Sequence, residues 1–184
     1  MKKSIFLILT TSIIFLFACK SEKQKQAIAQ TDKMLTKIEI LKKSLTSPEV
    51  ESYRAIFDTV KIYNAYFQNL PANFERNDSI MNIIDNYGTV EKCFKKLHSV
   101  HIAKLLDGLE LSKSQITNLK SDIEEGFFED SEIDKYVKIE DSILNDIEVI
   151  VNQKLEFAKA HKAKYEIYHP LVLKLISDFE EKYK

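Results

Sequence analysis

Along most of this 184-residue chain, apolar side chains recur in alternating steps of three and four. Ala27, Thr31, Met34, Ile38, Leu41 and Leu45 make one such run, widened by Ile28 and Leu35, and a helical period of about 3.6 residues gathers them on one face. Ser47-Pro48-Glu49 then reads as an N-cap, a proline whose missing N–H is harmless at the first helical position, and an acid on the positive end of a helix dipole. The first helix is therefore expected to stop near Thr46. A second should run through Val50, Tyr53, Phe57, Val60, Tyr63, Phe67 and Leu70 to Pro71, antiparallel to the first because the link is so short.

Asn73 to Asn77 reads as a polar loop, and Asn77 or Asp78 can cap a third segment striped by Ile80, Ile84, Tyr87, Phe94, Leu97, His101 and Leu105. Gly88 interrupts it as a break or kink, and Gly108 ends it. Ser112-Lys113-Ser114-Gln115 is a capping box opening a short helix that Gly126 closes. Residues 131–168 hold no Gly or Pro and predict one long helix. Ile133, Val137, Ile143, Ile147, Ile150, Ala158, His161, Tyr165 and Tyr168 mark its main face, with a second face at Val149, Ala160, Ala163 and Ile167. His169-Pro170 kinks or restarts it. The expectation is an all-α antiparallel bundle of five to six helices in one domain, residues 25–184.

Composition agrees. With 3 Gly and 3 Pro, where average usage would give roughly 22 together, the turns that sandwiches and barrels require are missing. Gly88, Gly108 and Gly126 are too far apart for a phosphate-cradling loop.

The N-terminus carries a different pattern. Lys2 and Lys3 precede the apolar run Ile5 to Phe17, 13 residues against the roughly 20 that span a bilayer, as in an exported precursor's signal peptide. It ends in Leu16-Phe17-Ala18-Cys19, which resembles the lipobox of bacterial lipoproteins. The resemblance covers about the first 20 residues. It implies cleavage after residue 18, diacylglycerol on the sulfur of Cys19, acylation of the new amine with a fatty acid such as palmitate, and residues 19–24 as a tether. Two or three acyl chains anchor stably where one does not. Lys20, where an aspartate can retain a lipoprotein at the inner membrane, implies the periplasmic leaflet of the outer membrane. Lys20-Ser21-Glu22-Lys23 is no acidic cell-surface signal.

Removing residues 1–18 takes the formal charge from −1 to −3. A net-acidic exported chain is a poor nucleic-acid binder. With Cys19 lipidated, Cys93 has no intramolecular partner, and its apolar-periodic setting predicts burial.

Three groups of residues are candidates for chemistry. At about 100° per residue, Glu91 and His98 fall within about 20° of each other and His101 about 60° further round, so one helix aims a carboxylate and two imidazoles the same way. They suit a divalent metal, with Cys93 as a fourth group, or a core edge of hydrogen-bonded histidines. Glu166-Ile167-Tyr168-His169 matches the Glu-x-x-His of di-iron bundles but occurs once, where that site needs two copies. Asp122, Glu124, Glu125, Glu129, Asp130, Glu132 and Asp134 surround Phe127-Phe128 with no base among them and lack the register of an EF-hand. They read as a solvated loop, or as a docking turn for a basic partner through Phe127, Phe128, Glu129 and Asp130. The first helix is opposite in sign, with lysines at 20, 23, 25, 33, 37, 42 and 43.

No activated nucleophile or oxyanion turn is present in the sequence. The expected function is a lipid-anchored, non-enzymatic binding or scaffolding module with a protein partner or a second copy of itself, and without a cofactor. A ligand- or metal-binding bundle and a toxin-neutralising immunity lipoprotein are the alternatives.

Overall fold

The computed structural model describes residues 20–70 and 77–183. Its elements are α1 (Glu22–Leu45), α2 (Pro48–Gln68), α3 (Asp78–Lys96), one π-helical turn (Leu97–His101), α4 (Ile102–Glu125) and α5 (Asp130–Tyr183). The fold is all-α, with no strand among the described residues. None of these helices is long and apolar enough to cross a membrane.

The expected caps form at most helix ends. Ser47 Oγ accepts from the Val50 N–H at 3.4 Å with Pro48 at the first helical position, and Asn77 Oδ1 accepts from the Ile80 N–H at 2.9 Å. Past α4, Gly126 adopts φ +78°, its N–H reaching Ile123 O at 3.2 Å and the Phe127 N–H reaching Asp122 O at 3.0 Å, the paired bonds of a Schellman turn. At α1 a capping box not foreseen in the sequence closes inside the expected tether: the Gln24 N–H donates to Ser21 Oγ at 3.1 Å, and the Ser21 N–H to Gln24 Oε1 at 2.9 Å. Pro71 and residues 73–76 of the expected loop lie outside the described residues.

The helix count differs from expectation. α3, the π turn and α4 follow one another without an intervening residue, so 78–125 is one continuous helical run, and α5 runs 54 residues. Gly88 neither breaks nor ends α3. Gly108 does not stop a helix and Ser112 does not open one, because Leu109, Ser112, Ile116, Leu119 and Ile123 form one uninterrupted buried seam across both. Pro170 removes an N–H and crowds the carbonyl four residues back, a cost of about 3 kcal/mol. Tyr165 and Tyr168 before it, and Val172 and Ile176 after it, pack into one core and carry the helix through.

The inward face of α5 also differs. Leu144 and Val151 are buried, whereas Ile143, Val149 and Ile150 are exposed. Val137, Leu144, Val151, Ala158 and Val172 lie at multiples of seven residues, a 3.5-residue period from which a straight helix drifts by about 20° per heptad.

The chain gathers into two compact units: the described part of residues 1–37 with 112–143, and that of residues 38–111 with 144–184. In the first, Ala27, Thr31, Met34, Ile116, Ile123, Ile133 and Val137 are buried, and the Thr31 hydroxyl is satisfied by the Ile28 carbonyl at 2.8 Å. In the second, α2, α3 and the C-terminal part of α5 enclose Val50, Tyr53, Val60, Tyr87, Val90, Phe94, Leu97, Ala158 and Val172. Tyr53 and Phe94 stack there at 5.0 Å and 12°. Burial, and then the hydrogen bond that the Tyr53 hydroxyl donates to Glu49 at 3.1 Å, push that hydroxyl up to about 12.

Candidate functional site

Glu91, His98 and His101 face different neighbours. The Ile102 N–H bonds to Leu97 O, five residues back, so each residue of this turn rotates less than in an α-helix. Three such steps swing His101 further round the helix from His98 than the about 60° of an α-helix. His98 lies among the charges of Glu51, Arg54 and Asp58 on α2, with its Nε2 buried and without a hydrogen-bond partner. His101 lies among Lys154, Lys96 and Lys104. Burial lowers the proton affinity of both rings, and for His101 these cations lower it further.

Glu91 is already engaged, its Oε2 accepting at 2.6 Å from Nδ2 of Asn64, a residue only 8% exposed. Cys93 is half-buried against the core rather than fully enclosed, and burial pushes its thiol up to about 11. Among the described residues no three His, Cys, Asp or Glu side chains gather as metal ligands would.

The Glu-x-x-His pattern separates in the same way. Glu166 is exposed, 3.8 Å from Lys162, while His169 turns inward and shares a hydrogen bond with Tyr87, Nδ1 to hydroxyl at 2.8 Å. Tyr165 stacks on His169 at 4.7 Å and Tyr63 meets its edge at 5.5 Å. Burial raises Tyr87 and Tyr165 and lowers His169, so these rings stay neutral and act as a satisfied polar core. The partners are 82 residues apart, and no local spacing marks them.

Two grooves open on the second unit. One, of about 420 Å³, is lined by Asn64, Asp85, Gly88, Glu91, Lys92 and Lys95, and a Cβ placed on Gly88 would meet nothing within 4 Å. The other, of about 530 Å³, is apolar, with Ile62, Tyr66, Leu70, Ile176 and Phe179 in its walls; Ile62 is 69% exposed.

On the first unit, the acidic turn and the start of α1 lie together. Lys20 pairs with Glu124 at 3.8 Å, the Ser21 hydroxyl donates to Asp130 at 3.0 Å, and Lys23 pairs with Asp134 at 2.6 Å. Phe128 packs on Tyr136 at 5.0 Å, with Lys135 Nζ 5.6 Å from the Tyr136 ring. Of the four expected docking residues, Phe128 is thus half-buried and Asp130 is tied to Ser21. Glu129 remains exposed, its N–H donating to Glu132 Oε2 at 3.3 Å, and Phe127 is 69% exposed. Cys19 lies outside the described residues. The chain matches no known protein family, no curated protein and no solved structure.

Proposed function

We propose that this chain is a bacterial lipoprotein, held by acyl chains on Cys19 in the periplasmic leaflet of the outer membrane, whose helical bundle acts by binding or scaffolding rather than by catalysis. The observation that carries this reading is Leu16-Phe17-Ala18-Cys19 at the end of a basic and then apolar leader. It is supported by the capping box at Ser21 and Gln24, which starts the folded body two residues after the cysteine. The apolar groove around Ile62 supports the binding half: it is the kind of concavity in which an apolar anchor from a protein partner is buried.

Labelling of growing cells with palmitate tests the anchor. The chain takes up label and Cys19→Ser does not; label retained by the variant refutes the reading. A photoreactive residue at Ile62 tests the binding function. It should yield an envelope crosslink that Phe179→Asp abolishes, and a crosslink indifferent to Phe179 removes the groove from the proposal.

A further inference from the structure

The first unit places an exposed aromatic beside the start of α1. Phe127 follows Gly126, whose left-handed φ of +78° turns the chain sharply out of α4, and its side chain is 69% exposed whereas its neighbour Phe128 packs on Tyr136. This turn is fixed to the beginning of the described chain. Lys20 bridges to Glu124, Ser21 bonds to Asp130, and a Cβ placed on Gly126 would lie 4.0 Å from Gln24 Nε2. Cys19 is the residue before Lys20. Consecutive Cα atoms are about 3.8 Å apart, so a bilayer that takes an acyl chain on Cys19 is within reach of the turn that Lys20 and Ser21 contact.

We infer that the Phe127 turn inserts into the bilayer interface beside the lipidated Cys19, as a second, non-covalent point of attachment. The inference rests on the acylation of Cys19 proposed above. A phenylalanine ring is apolar and carries no hydrogen-bonding group that insertion would leave unpaired, and removing it from water is favourable. The surrounding charge specifies the surface. Lys20 and Lys23 offset Glu124 and Asp134, but Glu125, Glu129 and Glu132 are exposed on the same turn, so the site suits a zwitterionic interface and is repelled by an anionic one.

The chain has no tryptophan, so Phe127→Trp is a single indole at an exposed position, excited apart from the 8 tyrosines at the red edge of the absorption. The full chain carrying it, expressed and processed in the envelope, is purified and reconstituted in phosphatidylcholine vesicles containing bromine-labelled acyl chains. Ile139→Trp, nine residues into α5 and 44% exposed, is the comparison, and circular dichroism confirms that both variants keep their helical content. Emission from the Phe127→Trp variant should be blue-shifted and quenched severalfold more by bromine than emission from Ile139→Trp. The quenching should diminish when phosphatidylglycerol replaces about a third of the lipid. An indole at position 127 that emits as in water and is quenched by aqueous iodide, on a chain that does carry label at Cys19, overturns the insertion and leaves the anchor standing. That result would return Phe127 to the surface offered to a protein partner. A chain without acyl label at Cys19 overturns both.

Discussion

One substitution, glycine to alanine, should have opposite signs at three positions. Gly88 and Gly108 lie inside the continuous helical run 78–125, and Gly126 is, among the described residues, the one with left-handed φ. At Gly88 the new methyl meets nothing within 4 Å, and at Gly108 its nearest neighbour is Ile147 Cδ1 at 4.0 Å, an ordinary contact. Neither site resists the change, so each gains the helix-interior preference for alanine, about 0.5–1 kcal/mol. Gly126→Ala puts a Cβ into the left-handed region, which costs roughly 1–2 kcal/mol, and weakens the turn that satisfies the last carbonyls of α4. Thermal melts followed by far-ultraviolet circular dichroism read the difference at about 2–4 °C per kcal/mol for a chain of this size. Gly88→Ala and Gly108→Ala should raise the midpoint, and their double variant should approach the sum because the sites share no partner. Gly126→Ala should lower it. A destabilising Gly88→Ala would mean that the Asn86–Thr89 stretch is not the helix described here, and a neutral Gly126→Ala would refute the left-handed turn.

Tyr87→Phe removes the hydroxyl bonded to His169 and leaves that ring nitrogen without its partner between Tyr63 and Tyr165, a loss of about 1–2 kcal/mol to be read from the urea midpoint; an unchanged midpoint would remove this bond from the stabilising core. Stability should also fall on acidification. Burial sets the folded-state proton affinity of His98 below its ordinary value of 6.5, so between the two values the unfolded chain binds more protons than the folded one. The stability is therefore fully present above about pH 6.5 and declines as the pH falls through it, with His101 and His169 shifted in the same direction. His98→Gln should shallow that decline between about pH 7 and 5, and a slope identical to the parent's would exclude His98 as a contributor.

The helical class was legible because it depends on a repeating local pattern. Ala27, Thr31, Met34, Ile38, Leu41 and Leu45, read as a seam from spacing alone, are all buried. Punctuation was overread. Gly108, Ser112 and Pro170 carry local signals for helix ends, yet Leu109 to Ile123 and Tyr165 to Ile176 place apolar residues on one face straight across them, and burial outweighs a propensity cost of about 1–3 kcal/mol. The π turn left no mark in Leu97–His101, and it redirects the one histidine pair that had looked like a site.

The first helix and the acidic turn present a different case, since both charge runs were plain in the sequence, the acids read as a solvated loop or a docking turn and the lysines as a helix of opposite sign, with no contact expected between them. A run of lysines and a run of acids about a hundred residues apart each cost repulsion when held alone, and packing them together relieves both. Lys20–Glu124 and Lys23–Asp134 are the pairs in which that relief is realised. Each exposed pair contributes little to stability, but like-charge juxtaposition would oppose any arrangement that brought the acidic turn against another acidic segment. Charge complementarity thus makes this meeting permissible more than it strengthens it. The same contacts set Phe127 beside Lys20 and Ser21, at the start of α1.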